Sequence, residues 1–204
     1  MAPRLDLYSG IHKGIRANMY ETGLLLSRTN FADEGERGLA LAAVRTSLGF
    51  LDEHLVHEDT HVAPVLAEIA PDLAPTLAGQ HTDHERCSAE LKATSARLHE
   101  GAGDPLAEGA SLCAQFNALI ADQTEHMNLE ESKANEVLWA HRTDEELAAI
   151  RGAIQGSIPP ERFGEYLAIM LPNMNFQELT GMLGGMKAMA PPPVFEMVSG
   201  IACT

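Results

Sequence analysis

Residues 54–66, HLVHEDTHVAPVL, place several metal-ligand side chains in one segment of helical character. His54 and Glu58 are four residues apart, so on an α-helix their side chains differ in direction by only about 40° and both can reach one ion. His61 returns to within about 20° of His54. Imidazole and carboxylate groups together suit first-row transition metals. The stretch therefore predicts a metal-binding helix face, with a kink or break near Pro64.

The same residue types recur in three other predicted helices. His126 precedes Glu130 by four residues within HMNLEE, and His81, His84 and His12 follow from two further helices. Helical periodicity places each of them on a stripe that is otherwise apolar. Such groups are costly in a core unless they are paired or bound to a cation. We therefore expect them to converge on a buried site.

Imidazoles and carboxylates in this number exceed the needs of one ion, so we predict a dinuclear site. Glu58 and Glu130 are placed to bridge, because one carboxylate can bind two ions. The candidate ligands are His12, His54, Glu58, His81, His84, His126 and Glu130.

Three neighbouring side chains stand outside this set. Glu130 lies about 40° from His126 and Glu131 about 140°, so Glu130 is the favoured carboxylate. His57 is about 60° out of phase with His54, whereas His61 is left open as a ligand or as a residue that supports one.

The first 141 residues predict four long helices joined by short loops, without a competing strand pattern. Pro105 after Asp104 is typical of a capped helix start. The predicted helices span about 4–28, 37–69, 75–99 and 105–140. We predict an all-α fold in which residues 1–141 form an up-down-up-down four-helix bundle.

Residues 142–204 predict a second region, a C-terminal helical extension rich in methionine. Thr143 with Glu146 forms a capping box, and Asn175 with Glu178 caps a later helix. A final helical turn is expected after the prolines at 191–193. The extension packs on the bundle or on a protein partner, with methionine as adaptable filler, or else forms a partner groove or regulatory subdomain.

Composition excludes several classes of protein. The 204 residues carry 14 Lys and Arg against 29 Asp and Glu, a formal net charge of −15. A nucleic-acid or anionic-membrane binder is therefore not expected. No apolar run reaches the length of a membrane span, and the first residues lack the apolar core of a signal peptide. Three cysteines without a CxxC pair are expected as core residues in a reducing, cytoplasmic setting.

The order His12, His54-x-x-x-Glu58, His84, His126-x-x-x-Glu130 resembles the hemerythrin-like (HHE cation-binding) family over about residues 1–141. The resemblance implies a four-helix bundle that holds two non-haem iron ions joined by an oxo or hydroxo bridge, with zinc or manganese as possible substitutes. The implied iron ligands are His12, His54, Glu58, His84, His126 and Glu130. The family carries two third-helix histidines four residues apart, whereas His81 and His84 are three apart.

The resemblance implies a protein that binds or senses O2, NO or peroxide, which requires an open coordination position. The alternatives are a di-iron enzyme, either catalase- or peroxidase-like or an oxidase of a small substrate, and a helical bundle with zinc or no metal. Whether the protein is an enzyme stays open. Tyr8, one turn before His12, and Gln123, three residues before His126, either face the pocket or are ordinary residues at the edge of the core.

Overall fold

The computed structural model describes residues 4–189, 195–196 and 198–200, and all regular structure among them is helical. The elements are α1 (Ser9–Arg28), α2 (Glu34–His61), α3 (Ala63–Ile69), α4 (Ala74–Glu100), α5 (Pro105–Leu129), a π-helical segment (Glu130–Ala134), α6 (Asn135–His141), α7 (Asp144–Ser157), α8 (Pro160–Met170), a 3-10 turn (Leu171–Asn173) and α9 (Phe176–Met189). The all-α prediction is confirmed for these residues. Across the same residues, no helix is long and apolar enough to cross a membrane.

Helix α1 begins at Ser9, five residues later than the sequence predicts. The Asp6 carboxylate accepts hydrogen bonds from the backbone N–H groups of Tyr8 and Ser9, at 2.8 and 3.0 Å. An aspartate that bonds the backbone two residues ahead favours a turn over a continuing helix. The predicted start near residue 4 is therefore wrong, and residues 4–8 approach the site as a turn.

Helix α2 begins at Glu34, because the Asp33 side chain caps it by accepting from the Glu36 N–H. The predicted start at residue 37 is corrected by three residues. The break predicted near Pro64 is confirmed: α2 ends at His61, and Pro64 lies in the first turn of α3.

The predicted fourth helix runs to His141, but it is not uniform. Its start is confirmed, with Asp104 as the cap and Pro105 as the first residue. The π-helical segment then separates α5 from α6, where the Asn135 N–H donates to Glu130 O, five residues back. A π segment has more residues per turn than an α-helix, so it changes the direction of the side chains that follow.

Four long helices form a closed ring of contacts: α1 packs on α2, α2 on α4, α4 on α5, and α5 on α1. Buried apolar residues of these helices and of the segments next to them form two separate clusters. One contains Ile15, Leu51, Leu91 and Met127, among others. The second contains Tyr8, Val62, Leu66, Leu77, Ala134, Leu138 and Leu147. Along the chain, His12, His54, Glu58, His81 and His84 each lie between residues of the two clusters, and His126 and Glu130 flank Met127 at the end of the first.

The segment after His141 also packs on these helices. Helix α8 contacts α1 so closely that a Cβ on Gly14 would lie 2.9 Å from Ile169 O. Helix α7 contacts α2, and its predicted Thr143–Glu146 capping box is confirmed. The prolines at 191–193 lie outside the described residues, and the helical turn predicted after them is seen at 195–196 and 198–200. The division of the chain at residue 141 stays a prediction.

Candidate metal centre

Six predicted ligands converge from four helices into two overlapping groups. Within each group, one ligand atom per residue lies within 4.8 Å of the others. The first group is His12, His54, Glu58 and Glu130, and the second is Glu58, His81, His126 and Glu130. Both carboxylates belong to both groups. The arrangement therefore places Glu58 and Glu130 where two adjacent cations would share them.

The two oxygens of Glu58 face different groups. Its Oε1 lies 3.2 Å from His54 Nε2, and its Oε2 lies 3.7 Å from His81 Nε2. A carboxylate that offers one oxygen to each of two imidazole sets has the geometry of a bridging ligand. The i,i+4 spacing of His54 and Glu58 accounts for the first of these contacts.

Glu130 lies between histidines of two different helices. Its Oε2 lies 3.2 Å from His126 Nε2, four residues away on the same helix, and 3.5 Å from His12 Nε2. The Nε2 atoms also meet across the helices. His12 and His54 approach to 3.0 Å, and His81 and His126 to 3.2 Å.

The two carboxylates are buried, with exposures of 5% for Glu58 and 2% for Glu130. Glu58 Oε1 and Glu130 Oε2 have no hydrogen-bond partner. Burial raises the pKa of both groups well above the ordinary range, and the charge of Glu130 raises the pKa of Glu58 further. Unpaired buried carboxylate oxygens are costly, and bound cations would remove that cost.

Burial favours the neutral form of three histidines in these groups, His12, His54 and His126. Burial and the neighbouring imidazoles lower the pKa of His54 well below its usual value. The same causes lower the pKa of His126 to about 2. Burial lowers the pKa of His12, although Glu131 opposes the shift. A neutral imidazole keeps one nitrogen lone pair free for a metal.

His12 is oriented by a carboxylate that the sequence analysis weighed as a ligand. Glu131 Oε1 lies 3.0 Å from His12 Nδ1 and 2.6 Å from Arg16 Nη1. Because a carboxylate accepts, Nδ1 carries the proton and the His12 Nε2 lone pair faces Glu130. A carboxylate on the remote ring nitrogen commonly orients a metal-binding histidine. Glu131 thus supports a ligand in this arrangement.

Two further histidines have acceptors at Nδ1. His81 Nδ1 donates to Asp59 Oδ1 at 2.7 Å, and His126 Nδ1 donates to Gln80 Oε1 at 2.9 Å. Both bonds leave Nε2 facing the carboxylates. Sequence reasoning missed Asp59 and Gln80. Asp59 follows Glu58 directly, which is a weak signal, whereas no pattern in the sequence distinguishes Gln80.

The remaining histidines lie at different distances from the centre. His84 is buried outside both groups, but its ring centroid lies 4.9 Å from that of His126. Burial lowers its pKa to about 4. His57 lies near Tyr166 of α8, with 6.3 Å between ring centroids, and neither it nor His61 belongs to a group. His84 stays a predicted ligand.

Both candidate pocket residues are buried. The Tyr8 ring centroid lies 5.5 Å from that of His12, and the Tyr8 hydroxyl has no hydrogen-bond partner. Burial and the charges of Glu130 and Glu58 raise the pKa of Tyr8 well above its usual value, which keeps the phenol protonated. Gln123 is buried on α5.

The donor set fits a pair of transition-metal cations. Four imidazoles and two carboxylates suit iron, zinc or manganese, and carboxylates that serve both groups suit two ions rather than one. Comparison with protein-family models, curated proteins and solved structures finds no match for this chain. The chemistry of the cluster therefore carries the functional inference.

Proposed function

We propose that this chain is a hemerythrin-like non-haem di-iron protein that binds or senses O2, NO or peroxide. In this proposal, α1, α2, α4 and α5 form an up-down-up-down bundle around the two ions. The observation that carries it is the position of Glu58, whose two oxygens face separate imidazole groups. His12 and His54 would hold one ion, and His81 and His126 the other.

The side chains around the two ions would contribute charge compensation and ligand orientation. The buried carboxylates compensate cation charge in a region of low dielectric. The Nδ1 partners hold His12, His81 and His126 in the tautomer that leaves Nε2 free. Two bound iron ions would supply reversible electron transfer to a small ligand at an open coordination position. With mostly neutral imidazole ligands, the centre is less electron-rich than carboxylate-rich oxygenase sites, which favours reversible binding over oxidation of a substrate.

Optical titration of the iron-loaded protein tests this function. Reversible spectral change on adding and removing O2, or on adding NO, without consumption of the ligand is the expected result. Sustained O2 evolution from peroxide that is lost in His54→Ala would favour a catalase-like enzyme instead. A bundle with zinc or no metal would give neither response. His99→Ala is the matched control, because His99 is exposed near the end of α4 and outside both groups.

A further inference from the structure

A cavity of about 30 Å³ lies beside the second ligand group. Its polar wall includes Glu58, His81 and Glu130. Its apolar wall includes Val62, Leu66 and Leu77. One water-sized sphere needs about 10–15 Å³ of such space, so the cavity has room for two or three heavy atoms and excludes a larger organic substrate.

Tyr8 also lines this cavity, and its side chain is buried, with an exposure of 2%. Its hydroxyl has no hydrogen-bond partner, although buried hydroxyls normally find one. Among the polar side chains that line the cavity, His81 donates to Asp59, while Glu58 Oε1 and Glu130 Oε2 have no hydrogen-bond partner. The Tyr8 hydroxyl is a donor that no protein group in the described structure accepts.

We propose that the Tyr8 hydroxyl is a positioning group, which donates a hydrogen bond to a two- or three-atom ligand of the metal site within this cavity. The inference rests on the proposed function, because the other end of the ligand would meet the metal site formed by Glu58, His81 and Glu130. The ligand class is a small, metal-binding hydrogen-bond acceptor such as azide, NO or dioxygen.

The aliphatic wall adds a selection by size. The apolar lining belongs to one buried cluster, which includes Val62, Leu66, Leu77 and Tyr8. These side chains cannot move outward to enlarge the cavity without disrupting the packing of α3 and α4. An added methyl group on this wall removes space that the ligand needs. Val62→Ile is therefore a second probe of the cavity, and it leaves every ligand-type side chain in place.

Azide titration of the iron-loaded protein, followed optically, tests the proposal. Tyr8→Phe is expected to weaken azide binding about tenfold, which corresponds to one hydrogen bond to a charged ligand. Its iron content should match wild type, and the metal-free variant should melt at the same or a higher temperature, because an unpaired buried hydroxyl is removed. Val62→Ile should also weaken azide binding. Tyr20→Phe, the same change at an exposed position of α1, should have no effect.

Equal azide affinity in Tyr8→Phe and wild type would overturn the proposal while leaving the di-iron site intact. Loss of iron, or of a phenolate-to-iron absorption band, in Tyr8→Phe would also overturn it, since Tyr8 would then be a metal ligand. Failure of the wild-type chain to bind iron is a distinct result that would contradict the proposed function as well.

Discussion

His12 Nε2 and His54 Nε2 lie 3.0 Å apart, although the two residues are separated by 42 positions in the chain. The His12 proton is at Nδ1, where Glu131 accepts it. The Nε2 lone pair of His12 therefore faces the Nε2 of His54. Either a proton on His54 or a cation must lie in that region, because two facing lone pairs repel.

Glu58→Gln is expected to abolish metal-dependent stabilisation. The amide keeps the shape of the side chain but loses the charge and one acceptor oxygen. Binding of one ion stabilises the folded state by about 3 kcal/mol when free metal is about a hundredfold above its Kd. The wild-type melting temperature should rise on loading, and that of the variant should not.

The metal-free Glu58→Gln protein should be at least as stable as metal-free wild type, because a buried carboxylate has been removed. Glu85→Gln is the control, since Glu85 is also four residues after a histidine but is exposed. Retention of two ions and full metal-dependent stabilisation in Glu58→Gln would refute the bridging role.

In the metal-free protein, Glu58 and Glu130 should lower the free energy of unfolding as the pH rises above about 4.5. The raised pKa values of Glu58 and Glu130 keep protons on the folded chain that the unfolded chain releases near pH 4.5. Between those values the folded state binds more protons, so the free energy of unfolding falls with rising pH.

The histidines act in the opposite direction at lower pH. The pKa of His84 falls to about 4 and that of His126 to about 2, so below pH 6.5 protonation favours the unfolded chain. Because His12 and His54 also have lowered pKa values, these histidines outnumber the two carboxyl groups, and the melting temperature of chelator-treated protein should be highest near pH 6.5. Glu58→Gln should flatten the decline above pH 6.5. A wild-type melting temperature that rises from pH 6.5 to 8.5 would contradict this assignment.

Metal uptake should release protons from Glu58 and Glu130, because burial raises the pKa of both carboxyl groups in the metal-free protein. Calorimetric titration in two buffers of different ionisation enthalpy measures the number released. Wild type should release at least one proton per chain, and Glu58→Gln fewer. Equal proton release from the two proteins would show that Glu58 is already ionised in the metal-free state.

Loss of a Nδ1 acceptor should weaken metal binding without removing a ligand. Glu131→Gln weakens the bond that orients His12, and Asp59→Asn does the same for His81. Substitutions of this kind typically lower metal affinity about 10- to 100-fold. Competition with a chromophoric chelator measures the affinity. Glu136→Gln, at an exposed position of α6, should leave it unchanged; an equal loss there would point to surface charge as the cause.

The close contact of α1 with α8 should make Gly14 sensitive to substitution. A Cβ at Gly14 meets backbone atoms at Ile169 and Met170, so Gly14→Ala should lower the free energy of unfolding by about 1–3 kcal/mol. The exposed Gly38 has open space around its Cβ position, and Gly38→Ala should stabilise α2 by about 0.5–1 kcal/mol. Denaturant titration measures both. Similar effects at the two positions would mean that α8 does not pack on α1 in solution.

The i,i+4 spacing predicted the residues that converge because it depends on one helix at a time. His54 with Glu58, and His126 with Glu130, meet as the pitch of an α-helix requires. Apolar periodicity likewise predicted that these faces turn inward. The proline at position 64 identified the break between α2 and α3.

Features set by the contact of different helices could not be predicted in this way. The bond between His81 and Asp59 depends on how α4 lies against α2, which no local spacing encodes. The predicted phase of Glu131 assumed a uniform α-helix and did not include α1, which brings His12 to it. The π-helical segment at Glu130–Ala134 has no proline or glycine to mark it in the sequence.

Metal content per chain tests the central claim most directly. Protein from iron-replete cells, measured by elemental analysis against an amino-acid-based concentration, should contain two iron ions per chain. The double variant Glu58→Gln/Glu130→Gln should contain none, and His99→Ala should retain both. Less than one iron per chain in wild type, or two in the double variant, would contradict the di-iron centre.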